Sequence, residues 1–140
     1  MNNSHVNPND RAIRQILETA KTIAVVGLSD KPERDSYRVA EYLQRHGYRI
    51  MPVNPTVSEV LGEKSYASVT DIPEQVDIVD VFRKPEAVGP VVQEAIDAGA
   101  ATVWLQLGVV NQEAAEVAEA TGLQVVMDKC IKIEHARLLR

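Results

Sequence analysis

Gly27, Leu28 and Ser29 close an apolar, β-branched run at residues 22–26, and Lys31, Arg34 and Ser36 follow within a few positions. A glycine there lets the backbone turn tightly and approach a ligand closely, and the serine adds a hydroxyl and an amide. Ahead of a helix, whose N-terminus carries partial positive charge, such a loop with two nearby cations suits a phosphate. The same residues also read as a structural strand-to-helix turn with solvated charges. The loop taken alone does not choose between the two.

A second apolar run ends in Pro52-Val53-Asn54-Pro55. The Asn54 amide can donate to or accept from a base edge or a ribose without repelling a nearby phosphate, although Asn-Pro is also an ordinary turn. A dinucleotide fingerprint wants three glycines in the first turn and an acid at the end of the second strand. This chain offers Gly27 alone and Asn54 in the acid's place. The scaffold is that of a nucleotide binder, and the altered grip points away from NAD towards another adenine nucleotide.

Three further loops carry polar groups where apolar runs stop: Phe82-Arg83-Lys84-Pro85, Gln106-Leu107-Gly108 and Asp128-Lys129-Cys130. An aromatic ring with a guanidinium can hold an adenine face and a phosphate, or Phe82 is core and the cations are solvated. Cys130, with His135 five residues on, invites a nucleophile reading. A reactive thiol needs a base or a depressed pKa, and a small residue closing the last strand explains Cys130 as well. Trp104 reads as core, and His5 and His46 as solvated. No His, Cys or Asp spacing supports a metal site, and no residue is assigned a catalytic role.

The elements that position these loops follow from periodicity. Ile13, Ile16, Leu17 and Ala20 keep helical spacing behind a cap at Asn7-Pro8 or Asn9-Asp10. Strands are expected at residues 22–26, 48–53, 76–82, 102–106 and 124–127, with a short edge strand near 64–66. Helices are expected at 36–47, 86–98, 112–120 and 131–139, the first three closing at Gly47, Gly99 and Gly122. Alternating strands and helices imply one α/β domain at residues 10–140. It is a Rossmann-like, doubly wound, mainly parallel sheet of five to six strands with helices on both faces. Residues 1–9 are polar and Asn-rich, and a frayed tail is expected there. Ligands of such sheets bind outside the carboxyl ends of the strands, at the switch in strand order, which is where all five loops lie.

Composition narrows the function classes. A chain of 140 residues with 45% hydrophobic and 25% charged residues makes one globular domain with a proper core. A net charge of -5 argues against general nucleic-acid binding. The single cysteine rules out an intramolecular disulfide and fits a reducing compartment. No apolar stretch has the length of a membrane span, and the first residues lack a signal-peptide pattern, so a cytoplasmic location is expected.

Taken in order, Val25-Val26-Gly27-Leu28-Ser29, Pro32-Glu33-Arg34, Ser36-Tyr37, Gly47-Tyr48, Pro52-Val53-Asn54-Pro55 and Asp77-Ile78-Val79-Asp80-Val81-Phe82-Arg83 match a family. With Gln106-Leu107-Gly108-Val109-Val110-Asn111 and Met127-Asp128-Lys129-Cys130-Ile131-Lys132-Ile133-Glu134-His135, the chain resembles the small stand-alone CoA-binding domain proteins of bacteria and archaea. It is also similar to the N-terminal part of the succinyl-CoA synthetase alpha subunit and of nucleotide-dependent acyl-CoA synthetases. The likeness covers residues 13–136.

The resemblance implies non-covalent binding of coenzyme A or an acyl-CoA through its nucleotide end. It implies phosphate contacts from the Gly27-Leu28-Ser29 turn with Lys31, Arg34 and Ser36. Val53, Asn54 and Pro55 would meet the adenine-ribose end, Phe82 and Arg83 would flank the nucleotide, and Gln106 and Cys130 would lie near the pantetheine. Asp35 stands where many relatives have a proline or small residue, which would weaken the phosphate grip. In the synthetases a later domain supplies a phosphorylated histidine, and with no room for it before Arg140 no synthetase activity is expected. The alternatives are an NAD(P)-binding oxidoreductase or redox sensor, with Arg49 or Arg83 on a phosphate, and an interaction protein with a vestigial site. A protein partner is compatible with each.

Overall fold

The structure, a computed structural model, describes residues 5–139. After helix α1 (Asp10–Thr19) come strand β1 (Thr22–Val26), helix α2 (Asp35–Arg45) and strand β2 (Arg49–Val53). A short hairpin, β3 (Glu59–Val60) and β4 (Glu63–Lys64), precedes β5 (Ile78–Val81) and α3 (Val88–Asp97). The chain continues through β6 (Thr102–Leu105), α4 (Gln112–Ala120), β7 (Gln124–Val126) and α5 (Ile131–Leu139). The main sheet has five strands in the order β2-β1-β5-β6-β7, paired in parallel throughout. This is the doubly wound architecture expected from the alternating pattern, with one switch in direction between β1 and β5.

Both faces of the sheet are covered, so its strands are apolar on both sides. Ala24, Val26, Val79, Val81, Val103 and Leu105 pack on one face against α3 and α4. Ile23, Val25, Ile78 and Trp104 face the other way, against α1, α2 and the start of α5. Asp80 belongs to this alternation as well. It is wholly buried in register with Val25 and Trp104, and neither carboxylate oxygen has a hydrogen-bond partner.

Several boundaries differ from those expected, for local reasons. Helix α2 starts at Asp35, one residue early, because Arg34 takes the extended N-cap conformation. A 3-10 turn over Pro85–Ala87 delays α3 to Val88, and β5 starts at Ile78 rather than two residues before. The edge strand expected near residues 64–66 is the hairpin strand β4, followed by a parallel bridge from Tyr66 to Val53.

Residues 5–9, within the segment expected to fray, are tied down instead. Asn9 caps α1 by accepting from the Ala12 N–H at 2.9 Å, and Asn7 is bonded to both the N–H and the carbonyl of Met127. The hydrogen-bonding side chains that made this stretch look like a polar tail are the groups that anchor it. At the far end of the chain, Arg137 donates to both carboxylate oxygens of Asp10 and closes α5 onto α1.

Candidate functional site

Strand β1 lies between β2 and β5, so the chain leaves its carboxyl end towards one side and returns on the other. The crevice at this switch is built on Gly27. Its N–H donates to the Val53 carbonyl at 2.9 Å, its φ is +85°, and the Phe82 carbonyl at the end of β5 fills the place a side chain would need. Only glycine fits this turn. Phe82 in turn donates its N–H to Val26 at 2.9 Å, so the two strand ends are pinned to one another.

Two hollows open on this crevice, sharing Asp35 and Phe82 in their walls. The smaller, about 390 Å³, is lined by Gly27, Ser29, Arg34 and Ser36 and by the acids Glu33 and Asp35. The larger, about 720 Å³, runs over the ends of β5, β6 and β7, past Phe82, Arg83, Gln106 and Cys130. Five of the residues read from sequence as phosphate or flanking contacts therefore meet at the smaller hollow, and Phe82 and Arg83 meet Gln106 and Cys130 at the larger, Phe82 being common to both.

The first turn arranges its own polar groups. Ser36 Oγ accepts from the Ser29 N–H at 3.0 Å, and Ser29 Oγ accepts from the Lys31 N–H at 3.1 Å. The N-terminus of α2 has no side-chain cap, because Arg34 stands where a Ser, Thr, Asp or Asn would bond it. Its first residues, Asp35 and Ser36, line the same hollow as Arg34.

Other expected contacts are placed differently. Leu28 and Val53 are buried, with side chains in the packed layers. Asn54 was expected to read a base edge or ribose, but its amide is occupied at both ends. Nδ2 donates to the Leu28 carbonyl at 3.0 Å, and Oδ1 accepts from the Thr56 N–H and hydroxyl. It braces the first turn against the second. Lys31 and Pro55 are exposed and line neither hollow.

The loops around the larger hollow brace each other through side chains. Gln106 Oε1 accepts from the Ile131 N–H at 3.1 Å, and Asp128 Oδ1 accepts from the Gly108 N–H at 2.7 Å. Asn111 donates to the Pro85 carbonyl at 2.9 Å, and the Trp104 indole donates to the Lys129 carbonyl at 2.8 Å. Asp128 holds φ +62°, which a non-glycine residue adopts only when its surroundings fix it. His135, read as a possible base for Cys130, is taken up by Tyr42, whose hydroxyl is 2.8 Å from Nδ1, amid the rings of His46 and Tyr48.

The electrostatics of this rim oppose those of the whole chain. Arg34, Arg38, Arg83, Lys84 and Lys132 line the two hollows, against the acids Glu33 and Asp35. None of the five cations takes part in an ion pair among the described residues, where the paired bases are His5, Arg14, Arg45, Arg49 and Arg137. The sequence reading missed Arg38 and Lys132. Arg38 stands one helical turn after Arg34, a spacing that puts both on one side of α2 and was available in the sequence. Lys132 gave no such signal, since only the docking of α5 brings it to the rim. No helix among the described residues is long and apolar enough to cross a membrane.

Residues 21–136 match the model of a protein family described as a CoA binding domain. The chain is 45% identical over 130 residues to the uncharacterised protein YneT of Bacillus subtilis, covering 93% of this chain and 96% of that one. A hypothetical protein from Pyrococcus horikoshii has a solved structure that superposes with a TM-score of 0.94 at 45% identity, over the full length of both chains. The acetate–CoA ligase [ADP-forming] II subunit alpha of Pyrococcus furiosus is 30% identical over 129 residues, which are 83% of this chain but only 28% of the subunit.

Proposed function

The chain belongs to the CoA binding domain family, and from that premise we propose that it binds coenzyme A or an acyl-CoA non-covalently at the switch-point crevice, without carrying out synthetase chemistry itself. The observation that carries this reading is the set of cations on the rim that form no ion pair among the described residues, in a chain with net charge -5. Coenzyme A brings a diphosphate and a ribose phosphate, and a crevice edged by Arg34, Arg38, Arg83, Lys84 and Lys132 supplies the opposite charge. The uncapped start of α2 supplies backbone N–H donors beside it. The larger hollow, with Phe82, Leu107, Val109 and Ile133 in its wall, offers room for the less polar pantetheine arm.

The competing NAD(P) reading loses support at Arg49 and Asn54, though not at Arg83. Arg49, the cation suited to a ribose phosphate beside β2, is paired with Glu74 at 2.6 Å. Asn54 stands where the acid for the ribose hydroxyls would be, and its amide is committed to the backbone of the first turn and to Thr56. The reading is tested by denaturing protein purified without added nucleotide and weighing what is released. Coenzyme A or an acyl-CoA is the expected mass, and NAD or NADP would overturn the proposal.

A further inference from the structure

His5 is engaged at three atoms. Its backbone N–H donates to Gln112 Oε1 at 2.7 Å, Nδ1 lies 2.7 Å from Glu119 Oε2, and Nε2 lies 2.7 Å from Asn7 Oδ1. Only 2% of the side chain is exposed. Asn7 spans Met127, donating from Nδ2 to its carbonyl at 2.9 Å and accepting its N–H at Oδ1 at 2.8 Å. Those two backbone bonds fix the direction of the amide, since reversing it would set oxygen against oxygen and N–H against N–H. Asn7 therefore presents an oxygen to the ring, and so does Glu119.

We propose that His5, whose ring bridges Glu119 and Asn7, positions the rim of the larger hollow by fixing Asn7 on Met127. Met127 directly precedes Asp128, whose carboxylate holds Gly108 and whose backbone is in the left-handed region. Lys129 and Cys130 follow, the first holding Trp104 and the second lining the hollow. The Met127 sulfur also receives the Asn111 N–H at 3.4 Å, at the start of α4. One residue is thus the common fixed point of the N-terminal segment, α4 and the rim. The charged groups on the elements packed here are Glu113, Glu116 and Glu119 of α4, with Asp128 and Lys129 after β7.

The ring's hold on Met127 stands independently of the ligand, while the positioning role rests on the coenzyme A reading. Hydrogen-exchange protection of the Met127 amide is expected to fall at least tenfold in His5→Ala and in Asn7→Ala. Val6→Ser, at a side chain 83% exposed, should leave it unchanged. Unaltered Met127 protection in His5→Ala, with an unchanged melting midpoint, contradicts the latch. Coenzyme A affinity is expected to drop several-fold in His5→Ala, and an unchanged affinity after loss of protection would overturn the positioning role. Failure of the wild-type protein to bind coenzyme A would instead strike the proposed function and leave the Met127 readout standing.

Discussion

A Cβ on Gly27 would lie 2.2 Å from the Phe82 carbonyl oxygen, so the turn after β1 and the end of β5 touch backbone to backbone. That contact closes the floor of the switch point and sets the distance between the two loops that flank it. Gly27→Ala meets both the clash and the left-handed backbone, at φ +85°. It should cost at least about 2 kcal/mol of stability. It should also weaken ligand binding beyond what the loss of folded protein explains. Urea denaturation alongside ligand titration separates the two, and wild-type values in both would show that the strand ends are free to part.

Arg34 is exposed, caps α2 without a side-chain bond and lines the smaller hollow. A charge-assisted contact to a ligand phosphate contributes roughly 1.5–3 kcal/mol, so Arg34→Ala should weaken coenzyme A about ten- to a hundredfold. Arg34→Lys should recover part of that, because a point charge cannot supply two aligned donors. Melting curves should barely move, since surface changes of this kind cost under about 0.5 kcal/mol. Wild-type affinity in the Ala variant would remove Arg34 from the site.

Asp80 carries the opposite kind of effect, on stability alone. Burial without a hydrogen-bond partner pushes its carboxyl well above the usual range, so the folded chain keeps the proton. Above the ordinary value of 3.8 the unfolded chain sheds that proton, and stability falls as pH rises. The loss is about 1.4 kcal/mol per pH unit until the folded-state carboxyl itself ionises. Asp80→Val removes the titrating group and keeps a β-branched side chain in the strand. It should be more stable than the wild type, with a margin that widens as the pH rises above the ordinary carboxylate value. A margin that does not change with pH there would show that Asp80 finds a partner.

The fold was legible because its signals are local. The apolar runs of β1 and β5 and the glycines after α2, α3 and α4 are read within a few residues of where they act. The crevice was legible to the same extent, through Gly27, Ser29, Arg34 and Phe82, each at the end of a strand or the start of a helix. Asn54 was not, because its partner Leu28 lies 26 residues away and only the pairing of β1 with β2 brings them together. His5 and Asn7 looked like tail residues for the same reason, since their partners lie beyond residue 110. Asp80 sits in a run whose period is unmistakable, yet nothing in the sequence says that its carboxyl goes unpartnered.

The central claim is that the crevice is built for coenzyme A rather than for a dinucleotide. Calorimetric titration of the purified protein with coenzyme A and with NAD, at equal low salt, tests it most directly. The cations around the two hollows predict affinity for coenzyme A at least about tenfold tighter, a difference of roughly 1.4 kcal/mol, that weakens as salt screens the phosphate contacts. Equal affinity for the two ligands, or a preference for NAD, would contradict the account.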